Sequence, residues 1–563
     1  MNTPSVSLIS PTGALGMGFP DETLERGIVL QPDFIACDAG STDSGPFYLG
    51  ASKPKLSRRA VLHDLRRLLR ARQELGVPLV IGSCGTSGTD DGVNWVREMV
   101  LESAKEEGMS LKLGLIYSEQ KPQKIAEAFK KDMVQSLPGA PSIDRESILK
   151  CSHIVAMMGH EPIVKALEEG CDVVLCGRAS DTALFAAYPM MKGIAPGPVW
   201  HCGKTVECGA VCTTLPASGG VFAKIDDSGF SVEPLSEEAA CTPMSLAAHT
   251  LYENADPNLF REPSGTLDTT NSSYHAINDR VTRVEGSVFH PERYTLKLEG
   301  SAFRGYQTVA IGGIRDPFII RGVDAWRDGM MEHFKQRVQE LTGFEVGREV
   351  NIEISFYGRD AVMGKIEPMQ DQSAHELNSL HGHCTGTVCC HGHCTLRHPC
   401  RIPLVDPGME GVHQRHCLSL LSSRNRERPG LPIHVESCAG SRFSVRSFPV
   451  FAGGGLVSGA SKTNLGMLAS LIRSKNAGPF WITFDLMFDT EADFLRAVKA
   501  GVPSKRWIAE TYRIPEEEVL LVQLPQARAI KFSFPRPRIQ GDPGESDMYS
   551  GQQYAPLLDL PVE

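Results

Sequence analysis

Carboxylates, hydroxyls, a thiol and an arginine collect at the ends of three short apolar runs. Asp38 ends the run from Asp33 and precedes Ser41, Thr42 and Asp43; Cys84, Thr86, Ser87 and Asp90 follow Val77–Ile81; Arg178, Ser180 and Asp181 follow Cys171–Cys176. A carboxylate opposite an arginine can remove a proton beside a carboxyl group, while the guanidinium and turn N–H groups hold the developing charge. In that scheme Asp38 or Asp43 is the base, His160 the acid and Asp181 a further catalytic carboxylate. Ser41, Thr42, Cys84, Thr86, Ser87, Asp90, Arg178 and Ser180 are then expected around the substrate. Each has a structural alternative: an ion pair closing the turn for Arg178 and Asp181, Asx-turns for Asp38 and Asp43, a helix start for His160 and Glu161. Cys84, ahead of a helix, offers a second chemistry, thiol-based acyl transfer or hydrolysis with the turn N–H groups as oxyanion hole.

The elements that must position these groups read as strands alternating with helices. The run Val77–Ile81 enters a turn with Gly82, Gly85 and Gly88, and a helix over Val93–Glu107 follows, with Thr89 or Asp90 as its N-cap. Glycines permit close approach of the main chain to a ligand, and a helix start favours an anion there, so this turn is expected to cradle a carboxylate or phosphate. Helical patterns over Ser57–Leu75, Pro122–Met133 and Ile163–Glu169 alternate with apolar runs at Leu111–Tyr117, His153–Met157 and Cys171–Cys176. Such alternation predicts an α/β fold with a doubly wound, mainly parallel sheet, whose ligands gather at the carboxyl ends of the strands. The turns after Asp38, Ile81 and Cys176 therefore converge if their strands are neighbours.

Composition excludes several classes. A net charge of −10 with no lysine-arginine stripe leaves no field for nucleic acid. There is no signal-peptide pattern and no apolar run of ~18 residues, so neither secretion nor a membrane partner is expected, and the reading is a cytoplasmic protein. Neither Gly-x-Gly-x-x-Gly after the first strand nor a P-loop occurs, and the glycines of Gly13–Gly18 have the wrong spacing, so there is no nucleotide cofactor motif. The cofactor is unknown, with a divalent metal at Asp38 and Asp43 left open.

Strand-like alternation continues at Gly220–Asp226, Tyr294–Glu299 and Val350–Tyr357, which predicts a second α/β or α+β domain. The segments Asp181-Thr-Ala-Leu-Phe185, Glu262-Pro-Ser-Gly-Thr-Leu-Asp268, Gly313-Ile-Arg-Asp-Pro317 and Tyr357-Gly-Arg-Asp360 resemble the acyclic terpene utilization protein A family. Ile472–Phe480, Ile482-Thr-Phe-Asp485, Ala527-Arg-Ala-Ile-Lys531, Pro535-Arg-Pro537 and Gly551-Gln-Gln553 resemble the small ferredoxin-fold domain that accompanies that family, here fused to the C-terminus. The resemblance implies a place in branched-acid catabolism, and makes Arg473, Lys475 and Asn476 a polar cluster able to clamp an anionic substrate. The expected domains are 1–215, 216–457 and 458–563.

One segment departs from the family pattern. Nine of the 17 histidines and seven of the 16 cysteines fall between His375 and Cys438. Their spacing fits no standard zinc knuckle, and the strand and helix periodicity is lost until about Lys462, as in a stretch read in a shifted frame or mis-spliced. Zinc binding and a lineage-specific loop are the alternatives. The leading expectation is a homo-oligomeric lyase, hydratase or isomerase acting on a small-molecule carboxylate or acyl-CoA; a cysteine-dependent acyl transferase or hydrolase and a non-catalytic accessory subunit are the others.

Overall fold

The computed structural model describes residues 5–314, 316–357, 359–368, 379–386, 463–542 and 545–562. Its centre is a nine-stranded mixed sheet. Five strands are parallel, in the order Ser5–Ser10, Phe34–Asp38, Leu79–Gly82, Val173–Cys176 and Leu113–Ile116. Alternation of side chains along each strand feeds two cores, as a doubly wound sheet requires. Phe34, Ala36, Val80 and Val174 pack with the helix Asp181–Met191 on one face. Ile35, Cys37, Ile81 and Leu175 pack with Arg58–Leu75 and Asp90–Glu107 on the other. Both of these helices begin as their sequences predict. Ser57 accepts from Ala60 N at 3.3 Å and Thr89 from Gly92 N at 3.2 Å, caps worth about 1 kcal/mol each.

Three expectations need correction. Cys151–Met157 is a strand but lies outside the main sheet, paired antiparallel with Lys297–Ala302. Its first half carries Ser152 and His153, which suit a two-stranded ribbon better than a slot buried on both faces. A boundary at 215/216 would cut one continuous sheet, because Val221–Asp226 pairs antiparallel with Ser5–Ser10 and Gly229–Pro234 follows it. The compact units divide at 304/305, with 359–368, 464–542 and 545–562 belonging to the larger one.

The C-terminal part of that larger unit is α+β, as expected. Its four antiparallel strands lie in the order Leu471–Asn476, Trp481–Met487, Ala529–Pro535, Leu520–Leu524, and the helices Glu491–Ala500 and Lys505–Tyr512 lie between the second and third strands in sequence. The connectivity is thus ββααββ, whereas a ferredoxin-like fold has βαββαβ. Phe484, Phe532 and Tyr512 form its core, the first two stacked at 4.3 Å between ring centroids. Leu524, Ala527 and Ala529 pack against Ala247 and Leu251.

In the smaller unit the helix Val323–Thr342 accompanies a three-stranded antiparallel sheet, Tyr306–Gly313, Ser379–Gly386 and Val350–Phe356. The greater part of the cysteine- and histidine-rich segment, and with it the question of its frame or its zinc, lies outside the described residues.

Candidate functional site

The three turns do converge, because their strands are adjacent: Asp38 stands opposite Gly82, and Ile81 opposite Leu175. Main-chain bonds lace the turns together, with Ser83 N donating to Gly177 O at 3.0 Å and Arg178 N to Gly88 O at 3.1 Å. The glycines serve this lacing. A Cβ on Gly88 would stand 2.1 Å from Arg178 N, and one on Gly40 would stand 2.4 Å from Thr86 Cα. The expected anion cradle is therefore a packed corner, in which the close approach permitted by glycine is made to neighbouring backbone. Ser83 and Thr86 hold positive φ there, 43° and 82°, the kind of local strain that clusters at functional sites.

At the centre lies a buried charge network. Arg178 donates from Nε to Glu299 Oε2 at 2.8 Å, and from Nη1 to Asp181 Oδ1 at 3.1 Å and Ala179 O at 2.7 Å. Glu299 also takes Lys297 Nζ at 2.7 Å and the Thr42 hydroxyl at 2.8 Å. Burial pushes the Glu299 carboxyl up, but the charges of Arg178 and Lys297 outweigh it and hold the group below the usual carboxylate range. Lys204 pairs with Glu207 at 2.6 Å, and Glu207 takes the Thr182 hydroxyl at 2.7 Å. Ser180 donates to Glu262 at 2.6 Å, and burial pushes Glu262 up to about 7.

Two aspartates differ from these paired acids. Asp38 is 5 % exposed; its Oδ2 accepts from Gly40 N at 3.0 Å while its buried Oδ1 has no partner. Burial, then the charge of Asp181, raises its pKa well above the ordinary value against the opposing pull of Arg178. Asp43 is half-buried and lies within electrostatic reach of Arg178, Asp181 and Glu253. Among the described residues its carboxylate has no hydrogen-bond or ion-pair partner, while its main-chain oxygen accepts from Gln540 Nε2 at 2.5 Å. The turn around it is set by Ser41, whose hydroxyl accepts from Asp43 N at 2.9 Å.

Other expected site residues fall elsewhere. Cys84 is fully buried in the apolar core, and burial followed by the neighbouring Cys176 raises its thiol pKa, which is the opposite of activation. His160 packs edge-on against Trp200 with centroids 5.5 Å apart and lies 3.4 Å from Glu161, and among the described residues it has no hydrogen bond or ion pair with Asp38, Asp43 or Asp181. Thr86 accepts from Lys55 N at 2.8 Å, and the buried Ser87 hydroxyl donates to Tyr48 O at 3.4 Å. Asp90 N donates to Glu119 at 3.1 Å, in a side cluster where Glu119 also meets His153 Nδ1 at 2.6 Å. Among the described residues no group of three or more histidine, cysteine or acidic side chains is arranged to hold a metal ion.

Of the three clamp residues, Arg473 is occupied by Asp485 at 2.8 Å, and Asn476 donates to Met548 O at 2.8 Å and accepts from Arg536. Lys475 faces the site, 3.2 Å from Glu253 and over the rings of Tyr252 and Tyr549 at 5.4 and 5.9 Å. Sequence reasoning missed Glu299, Lys297, Lys204, Glu207, Glu262 and Glu253. Glu262 alone carried a signal, in the segment Glu262–Asp268 that supports the family resemblance.

Fold and site together define a mixed α/β protein with a buried, acid-rich centre at the carboxyl edge of its parallel strands. The chain belongs to the family described as acyclic terpene utilisation family protein AtuA, whose profile matches residues 55–378. A domain of unknown function (DUF4387) matches residues 465–561, so neither match includes 379–464. No curated protein and no solved structure matches the chain. Among the described residues no helix is long and apolar enough to cross a membrane.

Proposed function

We propose that this chain is a catabolic enzyme of acyclic, branched carboxylic acids or their thioesters, acting as a lyase, hydratase or isomerase by proton transfer beside the carboxyl group. The family supports the catabolic setting. The observation that carries the chemistry is the unlike pair of aspartates. Asp43 is an accessible carboxylate without a side-chain partner, and Asp38 is a buried carboxyl with a raised pKa and one unpartnered oxygen. Neighbouring carboxyls in unlike environments divide into base and acid, so Asp43 removes the proton and Asp38 returns one. Arg178 serves as organiser of the centre, since Nε and Nη1 are taken by Glu299, Asp181 and Ala179 O. A thiol mechanism loses its support with the burial of Cys84.

The test is uptake of deuterium at the carbon beside the carboxyl group, followed by NMR in D2O with a methyl-branched unsaturated acid and with its CoA thioester. Asp43→Asn is expected to slow exchange by ~100-fold or more, the usual share of a general base. Exchange at the wild-type rate in that variant would sink the assignment. An accessory subunit would show no exchange with any such acid.

A further inference from the structure

We propose that Lys55, Lys475 and Tyr549 bind a carboxylate of the substrate, and that the substrate is a short free carboxylic acid in preference to its CoA thioester; this deepens, and rests on, the proton-transfer reading above. The inner cations are already engaged: Arg178 by Glu299 and Asp181, Lys297 by Glu299, Lys204 by Glu207. An incoming carboxylate finds no spare positive charge there. Beside Asp43 the balance reverses. Lys55 Nζ donates to Ser44 Oγ at 3.3 Å and to the Tyr549 hydroxyl at 3.1 Å, and pairs with no carboxylate among the described residues. Its ammonium and that of Lys475 lie 5.4 and 5.9 Å from the centroid of the same Tyr549 ring. Tyr549 is 43 % exposed, so both cations are held at an accessible ring.

In a chain of net charge −10, two ammonium groups at one accessible ring, of which among the described residues only Lys475 is in an ion pair, with Glu253, form a site that draws in an anion. Lys475 is 3.2 Å from Glu253, whose carboxyl is pushed up by burial and by the charge of Asp43 against the pull of Lys475. The backbone of Glu253 is held in the left-handed region, φ 57°, which places it in a conformation rare for a non-glycine residue. Reach then selects the substrate. Lys55 is bonded to the residue next to Asp43, so an anion on Lys55 sits a few bonds from the carbon that Asp43 would deprotonate. A short acid with a carboxylate near the reacting carbon spans that gap. A CoA thioester carries its phosphates at the far end of a long pantetheine arm, so they cannot occupy this pair while the thioester reaches Asp43.

The experiment is a thermal-shift titration of the full chain with citrate, 3-methylglutarate and coenzyme A as probes. The dicarboxylate and citrate are expected to raise the melting temperature, with apparent Kd weakened about 10-fold in Lys55→Ala and in Lys475→Ala and weakened further by added salt. Lys55→Arg should recover part of the affinity, and Tyr549→Phe, which removes only a hydroxyl, should show an intermediate loss. Unchanged binding in both alanine variants, or coenzyme A displacing the dicarboxylate, would overturn the proposal. Asp43→Asn removes a negative charge beside the two lysines and is expected to bind these probes at least as tightly as the wild type, so loss of exchange without loss of binding separates failure of the mechanism from failure of this site.

Discussion

Replacing Asp38 by asparagine should make the protein more stable while stopping its proton chemistry. Asparagine has the same shape, and its carbonyl oxygen can keep the bond from Gly40 N. What it removes is the cost of holding a carboxyl protonated. An ordinary aspartate has a pKa of about 3.9, so keeping one protonated at pH 7 costs at most about 4 kcal/mol. The sign follows from the raised pKa in the folded chain. Between the ordinary and the raised value the folded state binds the extra proton, so wild-type stability falls as pH rises through that window, by up to about 1.4 kcal/mol per pH unit. The variant lacks this term, and its advantage should be near zero at about pH 4 and grow as the pH rises above that. Paired melting curves of the full chain across that range give the difference directly. A gap that is flat with pH, or an Asp38→Asn chain less stable at neutral pH, would show that Asp38 is ionised and well paired, and would remove it as the acid. The expected outcome is the exchange of stability for function common at active sites.

Iodoacetamide under native conditions should leave deuterium exchange intact and Cys84 unmodified by mass spectrometry; inactivation tracking Cys84 alkylation would restore the thiol mechanism. Lys531 is fully buried, bonded to Asp485 at 2.7 Å and to Leu251 O at 2.8 Å. Lys531→Met should cost about 3 kcal/mol, at the low end for a broken buried pair because Arg473 still holds Asp485, and should speed proteolysis of the C-terminal sheet from Leu471 onward. No change in melting would show that this pair does not fasten the sheet. Sequencing the transcript across codons 375–457 is expected to reveal a frame or splice change, and metal analysis to find no stoichiometric zinc; one equivalent of zinc that chelation removes with loss of folding would favour a metal site.

Three of the five parallel strands were legible because each is a short apolar run closed by a glycine-bearing turn, while Ser5–Ser10 was not foreseen. Phe34–Asp38, Leu79–Gly82 and Val173–Cys176 lie within two residues of where that pattern places them. Their adjacency, which brings Asp38 and Arg178 into one centre, was left open by the sequence and comes from the strand order of the sheet. Glycine told of close approach but not of its object, so Gly88 read as a ligand cradle when it receives Arg178 instead. The buried acids Glu299, Glu207 and Glu262 were invisible for another reason. The chain has 67 acidic residues, and only the pairing of Lys297–Ala302 with Cys151–Met157 carries Glu299 to Arg178, across 121 positions of sequence. Local periodicity holds no information about that register.

The bond from Gln540 to the Asp43 carbonyl joins positions 497 residues apart. During synthesis at ~5–20 residues per second, the loop bearing the base is made roughly 25–100 s before the side chain that braces it. Its strands can pair early, but its final geometry waits for Gln540. A polypeptide released before that residue would carry the aspartates without their brace, so the centre assembles only once the C-terminal sheet and the segment after it have been made.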